Sequence, residues 1–238
     1  ITACAVFYDI ENPNKFLKDI SDLIDKKTGI FYLEFQDLLS IIKNDLFDTI
    51  CHEHLEYYSF KVINNMLKFN NLKLIDVSKN DINGGSLALV ISHKLSNYKI
   101  NYKKINNLVS EEKKYKLELL STYNNFFQKI QKLKENRNIL LCKLVSNNKT
   151  IHGYGASTKG NVLLQYFNIN NKIISLIADR NPEKNNLFTP GTNIKIVNEK
   201  KSRRILPDYY FVLPWHFKKE ILLREKKIRQ KGTKFIFP

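Results

Sequence analysis

Eight consecutive residues, Cys51-His52-Glu53-His54-Leu55-Glu56-Tyr57-Tyr58, hold two imidazoles, two carboxylates and two phenols. That density suits proton transfer, because a histidine titrates near neutral pH and an adjacent carboxylate can orient it. His52-x-His54 lacks the further spaced ligands of a metal site, and no metal is expected. The structural alternative is a segment that caps a helix starting near Ser59. A second constellation is His152-Gly153-Tyr154-Gly155-Ala156-Ser157-Thr158-Lys159-Gly160-Asn161. There the glycines let the backbone turn and approach a ligand, the hydroxyls and first helical amides point at an anion, and Lys159 adds a point charge.

In open α/β sheets ligands sit beyond the carboxyl ends of the strands. Three candidate strand ends in the second half carry polar or glycine-rich residues: Gly153 to Lys159, Asp179-Arg180-Asn181-Pro182 and Pro214-Trp215-His216. Asp179 follows Gly155 by 24 residues, near where a dinucleotide-binding domain places the carboxylate for a ribose hydroxyl. Singly, Asp179 reads as a turn cap and Trp215 as packing. Together the three ends point to a nucleotide or nucleotide-sugar crevice. Asn83-Gly84-Gly85-Ser86 reads first as a hairpin turn and second as backbone brought to a substrate. Phe188-Thr189-Pro190-Gly191-Thr192 reads as a connecting loop.

The elements that must position these groups follow from periodicity. Thr2 to Ile10 is a short apolar strand candidate. Asn12-Pro13-Asn14 opens a helix carrying Phe16, Leu17, Ile20, Leu23 and Ile24, ended by Gly29. Ile30 to Phe35 is strand-like, Phe60 to Phe69 an amphipathic helix, and Leu72 to Val77 and Leu87 to Ser92 two further strands. Tyr102 to Val145 predicts one long helix, or two in line, bridging two halves. Thr150 to Gly155, Ile173 to Ala178, Tyr209 to Leu213 and Lys234 to Phe237 then alternate with helical or loop segments. This pattern predicts an α/β protein with a parallel sheet wrapped by helices.

Composition excludes several classes. With 43% hydrophobic and 12% aromatic residues, the 238 residues fold and bury a core. Cys4, Cys51 and Cys142 are far apart and lack C-x-x-C spacing, which fits a reducing compartment and no disulfide framework. No apolar run approaches the ~20 residues of a membrane span, and no signal peptide opens the chain. The expected location is therefore cytoplasmic, with no membrane partner. The net charge of +16 suits an anionic ligand. Lysine and asparagine are spread along the whole chain, however, and no Arg-aromatic stripe marks one face, so no nucleic-acid partner is expected. The chain opens inside a strand-like run and has Met66 as its single methionine, which suggests a piece of a longer polypeptide.

With these pieces assembled, the chain resembles the later part of the SAM-dependent C-methyltransferases that act on nucleotide-linked deoxysugars. The matching segments are Phe7-Tyr8-Asp9, Phe47 through Ser59, Asn83 through Ser86, Gly153 through Asn161, Ala178 through Pro182, Thr189 through Thr192 and Val212 through Phe217, in the family's order. The resemblance implies three things about domains. Residues 1-101 would be the C-terminal part of a class I (Rossmann-like) methyltransferase domain, 102-149 a linking helical segment, and 150-238 a Rossmann-like domain binding nucleotide sugar. The glycine-rich loop for S-adenosyl-L-methionine and a zinc-binding module would lie upstream, and this chain alone would be inactive.

The implied reaction removes a proton next to a sugar keto group, with His54 as the base, Glu53 orienting it and His52 nearby. Asp9 and Cys51 stand where the family usually has histidine and tyrosine, both expected near the sugar. Substrate contacts are further implied for Tyr57, Asn83, Gly84, Gly85, Gly153, Gly155, Ser157, Thr158, Lys159, Asn161, Asp179, Arg180, Trp215 and His216. Two other readings remain open: a non-catalytic nucleotide-sugar binding module, and an NAD-dependent oxidoreductase domain resting on the Gly-x-Gly and Asp179 pattern alone.

Overall fold

The computed structural model describes residues 1–238 in two units, the first comprising residues 1–47 with 52–127 and the second residues 48–51 with 128–238. In the first unit, β1 (Thr2–Cys4) is shorter than the apolar run suggests. Ala5 turns into the left-handed region at φ +54°, and a 3-10 turn at Phe7–Asp9 sends Phe7 into the core. α1 (Pro13–Leu23) starts as expected. The Asn12 side chain accepts the Lys15 amide at 3.0 Å, and Pro13 takes a position where a missing N–H costs nothing. It stops well before Gly29, contrary to expectation. The Asp25 carboxylate accepts the amides of Lys27 and Thr28 and so offers the backbone a competing turn, which Gly29 closes by bonding the Asp25 carbonyl.

β2 (Phe31–Gln36) leads into α2 (Leu38–Lys43), a helix too short to leave a readable period. α3 (Phe60–Phe69) begins at its cap Ser59, whose hydroxyl accepts the Val62 amide. The Glu112 carboxylate takes the amides of Phe60 and Lys61 and completes that cap. β3 (Leu72–Asn80) and β4 (Ser86–His93) form a hairpin, and the sheet order is β1-β2-β4-β3. Only the β1–β2 pair is parallel, so this sheet is mixed. Phe7, Leu17, Phe31, Leu33, Phe60 and Ile63 fill the core against it. α4 (Tyr102–Tyr115) and α5 (Leu120–Ser146) resolve the long helical stretch into two helices, because Lys116 adopts φ +53° between them.

The second unit is built on β5 (Ile151–Tyr154), α6 (Thr158–Tyr166), β6 (Leu176–Asp179), β7 (Ile196–Asn198), α7 (Glu199–Ile205), β8 (Tyr209–Val212), α8 (Lys218–Arg224), α9 (Lys226–Gln230) and β9 (Lys234–Ile236). All five strands are parallel, in the order β7-β6-β5-β8-β9. The chain enters at the centre, builds outward to β7, then returns to lay β8 against the other side of β5. Polar side chains at the carboxyl ends of β5 and β8 therefore flank the point where the winding reverses, the favoured crevice of such sheets. β7, three residues long, left no signal in the sequence. No helix is long and apolar enough to cross a membrane.

The β3–β4 turn is tightly specified. Gly84 and Gly85 sit at φ +92° and +140°, and a Cβ on Gly85 would fall 2.5 Å from Ser40 Cβ. Replacing Gly85 with alanine combines a clash with a backbone that L-residues avoid. We expect the first unit to lose about 2–4 kcal/mol in urea unfolding, whereas Gly232→Ala, with open space around its Cβ, loses less.

Candidate functional site

Two groups of polar side chains stand out, one in each unit. In the first, the 3-10 turn at Phe7–Asp9 is the anchor. Phe7 is fully buried against Phe16, Phe35 and Tyr58, which fixes Tyr8 and Asp9 on the outer side of the turn. The Tyr8 carbonyl then accepts the amides of Leu55 at 2.9 Å and Glu56 at 3.2 Å, and so pins the histidine segment across it. His54 is half-buried, its ring 4.3 Å from that of Tyr8 and 6.4 Å from that of Tyr57. Burial pushes the Asp9 carboxyl up, His54 draws it down, and Glu53 raises it again, so all three groups lie within electrostatic reach. The structure thus gathers Asp9, Glu53, His54 and Tyr57. It adds Tyr8, which the sequence signals only by standing next to Asp9. His52 and Glu53 are exposed.

Asn83, Gly84 and Gly85 have their carbonyls engaged by the β2–α2 junction and the C-terminal end of α2. Gln36 donates to Asn83 O, Asn44 to Gly84 O, and the Asp37 amide to Gly85 O. The turn reading accounts for these bonds.

In the second unit a cleft of about 590 Å3 opens at the carboxyl ends of β5, β6 and β8. Gly155, Ser157, Asp179 and Arg180 line it, together with Pro214, Phe217 and Lys184. Gly155 holds φ +82°, and a Cβ there would meet the Pro214 ring at 2.9 Å, so this glycine serves close packing as well as the turn. The loop's amides are largely engaged within the chain. Gly155 donates to Ala178 O, Ala156 to Asp179 Oδ2 at 2.6 Å, and Gly160 to the capping Ser157 hydroxyl. Asp179 accepts the Asn181 amide with its other oxygen at 2.8 Å. Lys184 donates to the Ala156 carbonyl at 2.6 Å, a brace that the sequence reading missed because residues 181–184 look like a plain turn. The first-turn N–H groups of Thr158 and Lys159 remain as donors. Three cations and three carboxylates face the cleft, so Arg180 is its most available positive group.

Gly153, Thr158, Lys159, Asn161, Trp215 and His216 do not line this cleft. Gly153 is buried in β5, where a Cβ would lie 2.6 Å from Ile177. Thr158 is exposed and Asn161 half-buried along α6. Lys159 sits instead in the field of Asp48 and Cys51, its ammonium pKa lowered by burial and held up by those two groups. Asp48, 1% exposed, accepts the Trp215 indole N–H at 2.9 Å, which attaches segment 48–51 to the second unit. Burial lifts the Asp48 carboxyl to about 6 against the pull of Lys159 and the indole. Burial and the Lys159 charge lower His216 to about 4. Sequence reasoning passed over Asp48 as a site residue; its signal was an acidic residue inside an apolar stretch next to the histidine segment.

Residues 81–238 match the family described as the C-methyltransferase C-terminal domain. Over 232 residues the chain is 28% identical to the C-methyltransferase NovU of Streptomyces niveus, an alignment covering 98% of this chain and 55% of that protein. The chain therefore spans about half the length of this curated relative.

Because the folded-state pKa of Asp48 lies above its unfolded value, the folded protein binds this proton more tightly. The associated stability is full below about pH 4 and is lost as pH rises through 6. His216 and His152, both lowered to about 4 with burial as the main cause, act in the opposite sense, so Asp48 must be read as a difference. Relative to wild type, Asp48→Asn should gain about 3 kcal/mol in stability between pH 4 and 7, measured by denaturant unfolding across that range.

Proposed function

The chain belongs to the C-methyltransferase family, and on that premise we propose that it is the later part of a SAM-dependent enzyme that C-methylates a nucleotide-linked keto-deoxysugar. The observation that carries this reading is the His54 cluster: an imidazole half-buried on Tyr8, with the Asp9 and Glu53 carboxylates in reach. An imidazole so flanked can accept the proton from a carbon next to a keto group, leaving the electron pair as an enolate whose carbon is nucleophilic. Glu53 orients the ring and stabilises the imidazolium, while Tyr8, its ring 4.3 Å away, packs against the imidazole.

SAM would supply the methyl group. This chain's own turns do not fit it: Asp37, at the end of β2, uses its carboxylate on the Leu39 and Ser40 amides, and no glycine stands there or after β1. We therefore assign the donor to the part of the enzyme corresponding to the rest of the relative's length. The mixed sheet with its parallel β1–β2 pair supports reading residues 1-101 as the later strands of a methyltransferase domain. Residues 102-149 are then the linking helices, and the parallel sheet of 150-238 is a Rossmann-like domain whose strand-end cleft takes the nucleoside diphosphate through Arg180. Both Asp179 oxygens accept backbone amides, which weighs against the NAD reading.

In the full-length protein, His54→Ala should lower the methylation rate by about 10²–10⁴-fold while nucleotide-sugar affinity, measured by calorimetry, stays within about threefold. An unchanged rate would remove His54 from the chemistry. The 238-residue chain by itself should give no methyl transfer in a radiolabelled-donor assay, and turnover there would refute the assignment of the donor site.

A further inference from the structure

A second cleft of about 770 Å3 lies in the same unit, between α7 and the α8–α9 pair. Its walls differ in charge from those of the strand-end cleft: five cations face two carboxylates, against three and three. The chain's lysine bias does not account for this. Arginine is scarce, six residues among 39 basic ones, yet Arg203, Arg204 and Arg224 all line this cleft.

Two of these arginines are held in place from behind. The Glu225 side chain is 3% exposed and that of Glu199 11% exposed. Arg203 gives its Nε and Nη2 to these carboxylates. Arg224 gives its Nε and Nη2 to the same pair and to the Tyr154 hydroxyl, and its guanidinium lies 5.2 Å from the Tyr154 ring centre. In both residues Nη1 makes no hydrogen bond within the chain. Each guanidinium is thus fixed in orientation with its Nη1 group unused, pre-organised to give charge-assisted hydrogen bonds to an oxyanion. Arg204, Lys227 and Lys231 at the cleft form no ion pair.

We propose that this cleft is a second ligand site, distinct from the strand-end crevice, that binds the diphosphate group of a small molecule. Two oriented guanidinium groups, each with Nη1 unused, match two adjacent phosphates, and the excess of three positive charges is comparable to the charge of a terminal diphosphate. Leu206 and Ile228 provide an apolar wall for whatever the diphosphate carries. The inference does not rest on the methyl-transfer reading, since it uses neither His54 nor Arg180.

The test is calorimetric titration of the full-length protein with inorganic diphosphate, with dTDP, and with a short single-stranded RNA, at two salt concentrations. Wild type should show saturable diphosphate binding that persists in Arg180→Ala and weakens at least about tenfold in the Arg204→Ala/Lys231→Ala double variant. That variant touches only exposed, unpaired side chains and so preserves the fold. Tighter binding of dTDP than of diphosphate, with the same sensitivity to the double variant, supports a nucleotide as the source; equal binding supports the anion alone. The proposal is overturned if diphosphate fails to saturate, if the double variant binds like wild type, or if Arg180→Ala abolishes all binding. RNA that outcompetes diphosphate with steep salt dependence overturns it as well.

Discussion

Glu199 and Glu225 are carboxylates largely withdrawn from water, and the second unit is arranged around keeping them paired. Burial pushes the Glu199 carboxyl up, and Arg203 draws it back. An isolated buried carboxylate costs several kcal/mol, so both arginines must be present and oriented. Meeting that constraint ties α7 to the α8–α9 pair. Through the Tyr154 hydroxyl, which donates to Glu225 at 2.8 Å, it ties both to the central strand β5. The same network forms a wall shared by the two clefts, because Glu199 and Arg224 line each of them.

The first unit meets a comparable constraint with less charge. The amides at the start of α3 cannot bond within their own helix. Glu112 of α4, itself 7% exposed, takes two of them. This fixes α3 against α4, and α3 begins immediately after the histidine segment. That segment is therefore held at one end by the cap of α3 and in its middle by the Tyr8 carbonyl. A proton-transferring side chain needs such support, because small displacements of a reacting group are expensive in rate.

The elements with strong local signals were legible. Asn12-Pro13 marked the start of α1, Ser59 and an apolar period marked α3, and short strand-like runs separated by helical or loop segments marked β5, β6, β8 and β9. These signals act over a few residues, through caps, φ restriction and side-chain period, so they are written in the chain before it folds. α2 and β7 were missed because six and three residues are too few to show a period. The end of α1 was misjudged because the Asp25 turn competes with a glycine stop.

What chemistry the residues can perform is a matter of composition and spacing: two imidazoles and two carboxylates in one short segment, glycines and hydroxyls where a strand gives way to a helix. Which groups remain free to do it was decided by tertiary structure. Asp179 has both oxygens occupied by amides, Lys159 faces Asp48, and Asp48 meets Trp215 across 167 residues. Arg203 and Arg224 each have one glutamate nearby in sequence, and they acquire their orientation only when each also meets the other's, 22 and 25 residues away. The physical reason is that hydrogen-bond partners and desolvation are properties of a site enclosed by separate segments, and no segment carries that information alone.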